Sequence, residues 1–167
     1  MPLIPDTATF QKRLAALPLT TYRVGETVLA AGSTTGRLLI LRKGAVAIVK
    51  DGIEIAKVTE PGAIFGELSA LLERPHTADV HAVEPSQFHV ADAADLLEQD
   101  SIVLLYLAAV LARRLDGANQ AVIELKSQLQ AGQPYSVIAK TVQKVEGLLD
   151  ASDASLVYAG YPANPYA

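Results

Sequence analysis

Apolar and polar positions alternate in three textures along this chain. Near the N-terminus, Phe10, Leu14 and Leu17 share one helical face, Asp6 or Thr7 can cap that helix, and Pro18 ends it. Residues 20 to 90 read differently, as short β-like runs separated by turns at Gly25, Gly32, Gly44 and Gly52. Asp51-Gly52, between the runs Val46–Lys50 and Ile53–Val58, is a two-residue hairpin signal. Strands at this spacing predict a sandwich, jelly roll or barrel. Beyond residue 90 the period becomes helical. A short helix over residues 92–99 leads into a long one capped by Asp100 or Ser101 and stopped by Gly132 and Pro134.

In that long helix Leu104, Ala108, Leu111, Leu115, Ala118, Val122, Leu125 and Leu129 follow an unbroken four-three spacing, the mark of a heptad seam. Ile102, Leu105, Ala109 and Ala112 define a second face. The first half of the helix is expected to pack partly on the β unit. From Ala118 onward, Val122, Leu125 and Leu129 would stand exposed unless covered, either by a second copy of the chain or by a last helix folding back. That last helix is predicted over Tyr135–Leu149, aligning Ile138, Thr141, Val142, Val145 and Leu149. A tail rich in Ala, Tyr, Pro and Ser follows. Its Tyr158, Tyr161 and Tyr166 suit a docking or regulatory segment rather than a core, with a disordered terminus as the alternative. No internal repeat is present.

Composition narrows the function. Half of the 167 residues are hydrophobic, enough for one domain with a short appendage. The net charge of −4 argues against a nucleic-acid or anionic-membrane surface. The longest apolar run, residues 102 to 112, has eleven residues, against the roughly 20 that a membrane-spanning helix needs. The opening Met1-Pro2-Leu3-Ile4-Pro5-Asp6 lacks the basic region and apolar core of a signal peptide. Without cysteine there is no disulfide or thiol chemistry, which fits a cytoplasmic location. His81 and His89 are read as surface or strand histidines, and no metal-ligand spacing occurs. Ser69 has no Gly-x-Ser-x-Gly elbow. Catalysis is not expected.

The chemistry concentrates at Ile64-Phe65-Gly66-Glu67-Leu68-Ser69 and at Pro75-His76-Thr77-Ala78-Asp79-Val80. The first group reads as a strand, a glycine turn and a helix start, where backbone N–H groups face outward and suit an anion. Glu67 offers a carboxylate to a hydroxyl-bearing ligand. His76 and Thr77, nine and ten residues later, add donors. A small molecule carrying a phosphate and a ribose would engage them all.

This stretch closely resembles the phosphate-binding cassette of the cyclic-nucleotide-binding domain family, whose pattern is Phe-Gly-Glu-Leu, Ser or Ala, a short apolar run, then Arg-Ser/Thr-Ala-x-Val. Phe65 to Ser69 and Thr77 to Val80 match; the arginine position holds His76. The resemblance, over roughly residues 8 to 130, implies a mainly β fold. This is a jelly-roll-like β-roll of eight strands with an N-terminal helix and a long C-terminal helix, here followed by one further short helix. Residues 1–130 would form the domain and 131–167 an extension. It further implies cyclic AMP or cyclic GMP as the ligand, without a metal. The binding residues would be Phe65, Gly66, Glu67 (ribose), Leu68, Ser69, His76 (phosphate), Thr77 and Ala78.

Leu111-Ala112-Arg113-Arg114-Leu115 is similar to the long helix of the catabolite activator subfamily, where two hydroxyl residues shortly afterwards meet the base. Here Ala118 and Asn119 stand there, leaving Asn119 to bond a base edge. Arg114 is either a solvated charge or a contact on the ligand's lid. The 37 residues after Gln130 are too few for the helix-turn-helix module of that subfamily. The expectation is a stand-alone sensor, homodimeric through its long helix and acting on an unknown effector protein. The alternative is a degenerate domain that binds no nucleotide and serves as a protein-interaction module.

Overall fold

In the computed structural model, which describes residues 6–149, the first helix, α1 (Thr7–Leu14), starts where Asp6 accepts a hydrogen bond from the Thr9 N–H at 2.7 Å. Eight strands follow: β1 (Leu19–Tyr22), β2 (Thr27–Leu29), β3 (Arg37–Lys43), β4 (Val46–Lys50), β5 (Ile53–Val58), β6 (Ile64–Phe65), β7 (Asp79–Ala82) and β8 (Ser86–Asp92). A helix, α2 (Glu67–Leu72), interrupts them after β6. The strands form two antiparallel four-stranded sheets, ordered β1-β8-β3-β6 and β2-β7-β4-β5. The expected β-roll is present. The β4–β5 turn is the one read from sequence, with Asp51 and Gly52 at φ 52° and 79°.

Two apolar cores share β3. Leu39 and Leu41 point between the sheets, against Val46, Ile48, Phe65 and Phe88. Leu38 and Ile40 point outward, against Phe10, Val103, Tyr106, Leu107 and Val110 of the helices. Phe10 stacks on Tyr106 with ring centroids 3.6 Å apart. β6 divides the same way, Phe65 inward and Ile64 outward. At the far end of β3, Gly44 (φ 108°) crosses Ser86 so closely that a Cβ there would strike it. Ser86 is fully buried and its hydroxyl accepts from the Ala45 N–H at 3.1 Å.

Asp92 caps α3 (Ala93–Gln99) by accepting from the Asp95 N–H. Asp100 caps α4 (Ser101–Gln130) through the N–H groups of Ile102 and Val103, and also meets Arg13 of α1 at 3.8 Å. Gly132, at φ 64°, releases the chain into α5 (Tyr135–Leu149), which folds back on α4 and touches β5. The Thr141 hydroxyl donates to Gln128 Oε1 across this hairpin at 2.9 Å.

The buried side of α4 differs from the seam read in the sequence. It consists of Val103, Tyr106, Leu107, Val110, Arg114 and Ala121. Most of these form a four-three row one residue earlier than the seam, hence about 100° around the helix. Of the seam, Leu104, Ala108, Leu115, Val122 and Leu129 are exposed, and Leu111, Ala118 and Leu125 half-buried. The earlier row escapes a hydrophobicity reading because Arg114 and Gly117 interrupt it. On α5, Ile138 is half-buried, Thr141 buried and Val142 exposed. The side chains of Val145 and Leu149, and the tail with Tyr158, Tyr161 and Tyr166, lie outside the described residues. No helix among the described residues is long and apolar enough to cross a membrane.

Candidate functional site

The glycine turn predicted after β6 is built as its residues require. Gly66 adopts φ 89°, a left-handed conformation that a side chain disfavours. A Cβ at this position would also collide with the Arg37 carbonyl oxygen. α2 then runs for two turns and closes at Glu73, φ 51°. There the Ser69 hydroxyl donates to the Arg74 carbonyl at 2.6 Å. That bond engages Ser69 in ending its own helix.

The return segment is sewn to the β2–β3 loop. The His76 N–H donates to the Ser33 carbonyl and the Gly32 N–H donates to the His76 carbonyl, both at 2.8 Å. Asp79 accepts from the Ala31 N–H at 2.8 Å. Between the cassette and the second sheet lies a cavity of about 50 Å³, open to solvent. Its floor is Leu29, Ile48 and Val80, and its walls are Phe65, Gly66, Glu67, Leu68 and Ser69 on one side and Pro75, His76, Thr77 and Ala78 on the other. Such a space holds a few waters; a larger ligand must extend through the mouth.

Eight of the ten residues singled out in sequence therefore line one cavity. Phe65 is buried, Leu68 and Ala78 are half-buried and Thr77 is exposed. A ninth, Arg114, does not line the cavity but reaches one of its walls, Glu67, from α4. Its Nη1 lies 2.7 Å from Glu67 Oε1, with Glu67 1% and Arg114 8% exposed. Burial pushes the Glu67 carboxyl above the usual carboxylate range, opposed by the charge and hydrogen bond of Arg114. The tenth, Asn119, is exposed and sits about 140° around α4 from Arg114, away from the cavity. Ala118, only about 40° from Arg114, is the nearer of the two.

His76 is 8% exposed and its Nε2 lies 3.0 Å from the Thr35 hydroxyl. Burial holds its pKa below the ordinary imidazole value. Thr35 and the apolar floor went unseen in sequence. Thr35 belongs to a glycine-rich loop 41 residues before His76, and Leu29, Ile48 and Val80 look like any strand residue. Among the described residues no cluster of His, Cys, Asp and Glu could hold a metal.

Comparison with known proteins gives the class of this site. Residues 19–99 match the family model described as cyclic nucleotide-binding domain. Over these residues, close to half of the chain, it is similar to the cyclic nucleotide-binding domain family. A curated relative, the cAMP-dependent protein kinase regulatory subunit of Yarrowia lipolytica, is 34% identical over 61 residues, covering 36% of this chain and 16% of that protein. The chain thus spans about one sixth of that relative's length. Among solved structures, a cyclic nucleotide-binding domain from Methylobacillus flagellatus superposes with a TM-score of 0.57 at 25% identity, over 67% of this chain and 69% of that one. The catabolite activator protein of Thermus thermophilus shares the fold, with a TM-score of 0.56 at 22% identity over 93% and 85% of the two chains.

Proposed function

We propose that this protein is a cytoplasmic sensor of cyclic AMP or cyclic GMP, in which the occupied cassette repositions α4 and α5. The observation that carries this reading is the buried contact between Glu67 and Arg114. It joins the carboxylate to which the resemblance assigns the ribose hydroxyl directly to the long helix. A hydroxyl arriving at Glu67 changes what Arg114 is bonded to. Any difference in ligand affinity between the two arrangements then becomes a shift in the position of α4. The exposed stripe of Leu115, Val122 and Leu129 suits a second copy of the chain packed helix to helix, and the output passes to a partner protein.

Calorimetric titration with each nucleotide tests the assignment. The wild type should bind, and Glu67→Gln should weaken binding about ten- to hundred-fold, the worth of a charge-assisted hydrogen bond. Equal affinities would refute the ribose role. One observation favours the second reading, a domain that binds no nucleotide and docks another protein: an uncharged imidazole occupies the place of the family's guanidinium. No binding of either nucleotide at millimolar concentration by a folded protein would select it.

A further inference from the structure

We infer that nucleotide binding at this site takes up one proton, carried by His76. The inference rests on the reading of the cavity as a nucleotide site and adds its regulation by pH.

The imidazole is held against the cassette turn. Its Cε1 lies 3.6 Å from where a Cβ on Gly66 would stand. The two backbone bonds to Ser33 and Gly32 fix the residue from both sides. The partner of Nε2, the Thr35 hydroxyl, both donates and accepts. It can serve a neutral ring by donating to Nε2, and a protonated ring by accepting from it. Gaining a proton therefore breaks no hydrogen bond at Thr35 and leaves a cation beside the turn.

The surrounding charges leave that task to His76. From α2 comes Glu67 and from α4 comes Arg114, and they pair with each other. From β7 comes Asp79, bonded to the Ala31 N–H. Residues 30–36 of the β2–β3 loop carry no titratable group. Arg37 of β3 presents its carbonyl to Gly66 and is exposed, as are Glu73 and Arg74 beyond α2. A cyclic phosphodiester keeps its single negative charge throughout the neutral range, and among the residues lining the cavity His76 is the one that can become a cation.

The sign follows from the two states. In the empty site burial lowers the His76 pKa, so the ring is neutral at pH 7. A bound anion favours the charged ring and raises it. Affinity therefore rises as pH falls from the bound-state pKa to the free-state pKa, and is level outside that window. Glu67 would act oppositely, because protonating it removes an acceptor for a ribose hydroxyl and weakens binding as pH falls.

The test is calorimetric titration of the full chain with cyclic AMP and cyclic GMP from pH 5.5 to 8, in two buffers of different ionisation enthalpy. Affinity at pH 5.5 should exceed that at pH 8 by about ten- to hundred-fold. Net proton uptake should approach one per ligand within the window. His76→Arg should bind at least as tightly as the wild type at pH 5.5, with neither slope nor uptake. His76→Gln should be level in pH at the wild type's pH 8 affinity. His89→Gln, which changes the other buried histidine, should keep the wild-type slope. A level wild-type affinity, or an affinity that still rises as pH falls in either His76 variant, overturns the inference. If only His76→Arg binds, the cavity is a nucleotide site but His76 is not its proton carrier. If neither protein binds, the nucleotide reading falls as well.

Discussion

Replacing Arg114 by Met removes the counter-charge from a carboxylate that is 1% exposed. Glu67 must then either stay ionised without its partner or take up a proton. Breaking one side of a buried ion pair costs about 3–5 kcal/mol, against a total stability of about 5–15 kcal/mol for a domain of this kind. The loss must depend on pH. With Arg114 gone, the folded pKa of Glu67, already raised by burial, rises further above its unfolded value. A group with a raised folded pKa favours folding at low pH and loses that contribution as pH rises. The penalty of Arg114→Met is therefore greatest at pH 7.5 and shrinks toward pH 5. Urea denaturation followed by circular dichroism at both pH values measures it. Glu67→Gln/Arg114→Met, which removes both charges of the pair, should return to within about 1.5 kcal/mol of the wild type. A single variant that loses less than about 1 kcal/mol, or an equal amount at both pH values, would show that the pair carries no such burden.

Two further expectations follow. Val122→Glu places a charge at a position 54% exposed, so stability should change by less than about 0.5 kcal/mol while the sedimenting species falls from dimer to monomer; a wild type already monomeric at micromolar concentration ends the dimer reading. His89, 8% exposed, has its pKa lowered by burial and by Arg42, with a bond to the Leu17 backbone opposing. Like His76, it binds fewer protons folded than unfolded, so stability falls as pH drops from the ordinary imidazole value through the folded pKa, and His89→Gln should make the pH 7.5 to 5 series of urea midpoints shallower. An unchanged slope would mean that His89 is not the source.

What the sequence disclosed is what short-range chemistry dictates. Asp6, Asp92 and Asp100 cap because a carboxylate placed just ahead of free N–H groups has few better uses. Asp51-Gly52 turns because both residues tolerate positive φ. The cassette was legible because it is contiguous and its glycine tolerates neither a Cβ nor ordinary φ. Relations across the chain were not legible. Periodicity along α4 gave the rise and repeat of its apolar residues but not which side would meet the sheet, and Arg114, read as a solvated charge or a contact on the ligand's lid, belongs to the packed row. Its bond to Glu67 spans 47 residues, and nothing local marks either residue as buried. Asn119, placed by analogy with a motif, is exposed and does not line the cavity.

The β3 run Leu38-Leu39-Ile40-Leu41 is buried on both faces. Strands usually hold their alignment because slipping by one residue would turn apolar groups to solvent. Here a slip would exchange Leu39 and Leu41 for Leu38 and Ile40 or the reverse, side chains of similar size, but it would also carry Arg37 or Arg42 into a buried position at one end of the run. The two charged flanks therefore oppose a slip in either direction. The strand's end adds a further restraint, where Gly44 fits over Ser86 for want of a side chain and one buried hydroxyl accepts the Ala45 N–H. β6 pairs with β3 through Leu39 and Ile40, so the alignment of β3 sets which of Ile64 and Phe65 faces inward. The aim of Gly66 and Glu67 at the cavity is thus tied to the charged flanks of a strand that ends more than twenty residues earlier in the chain.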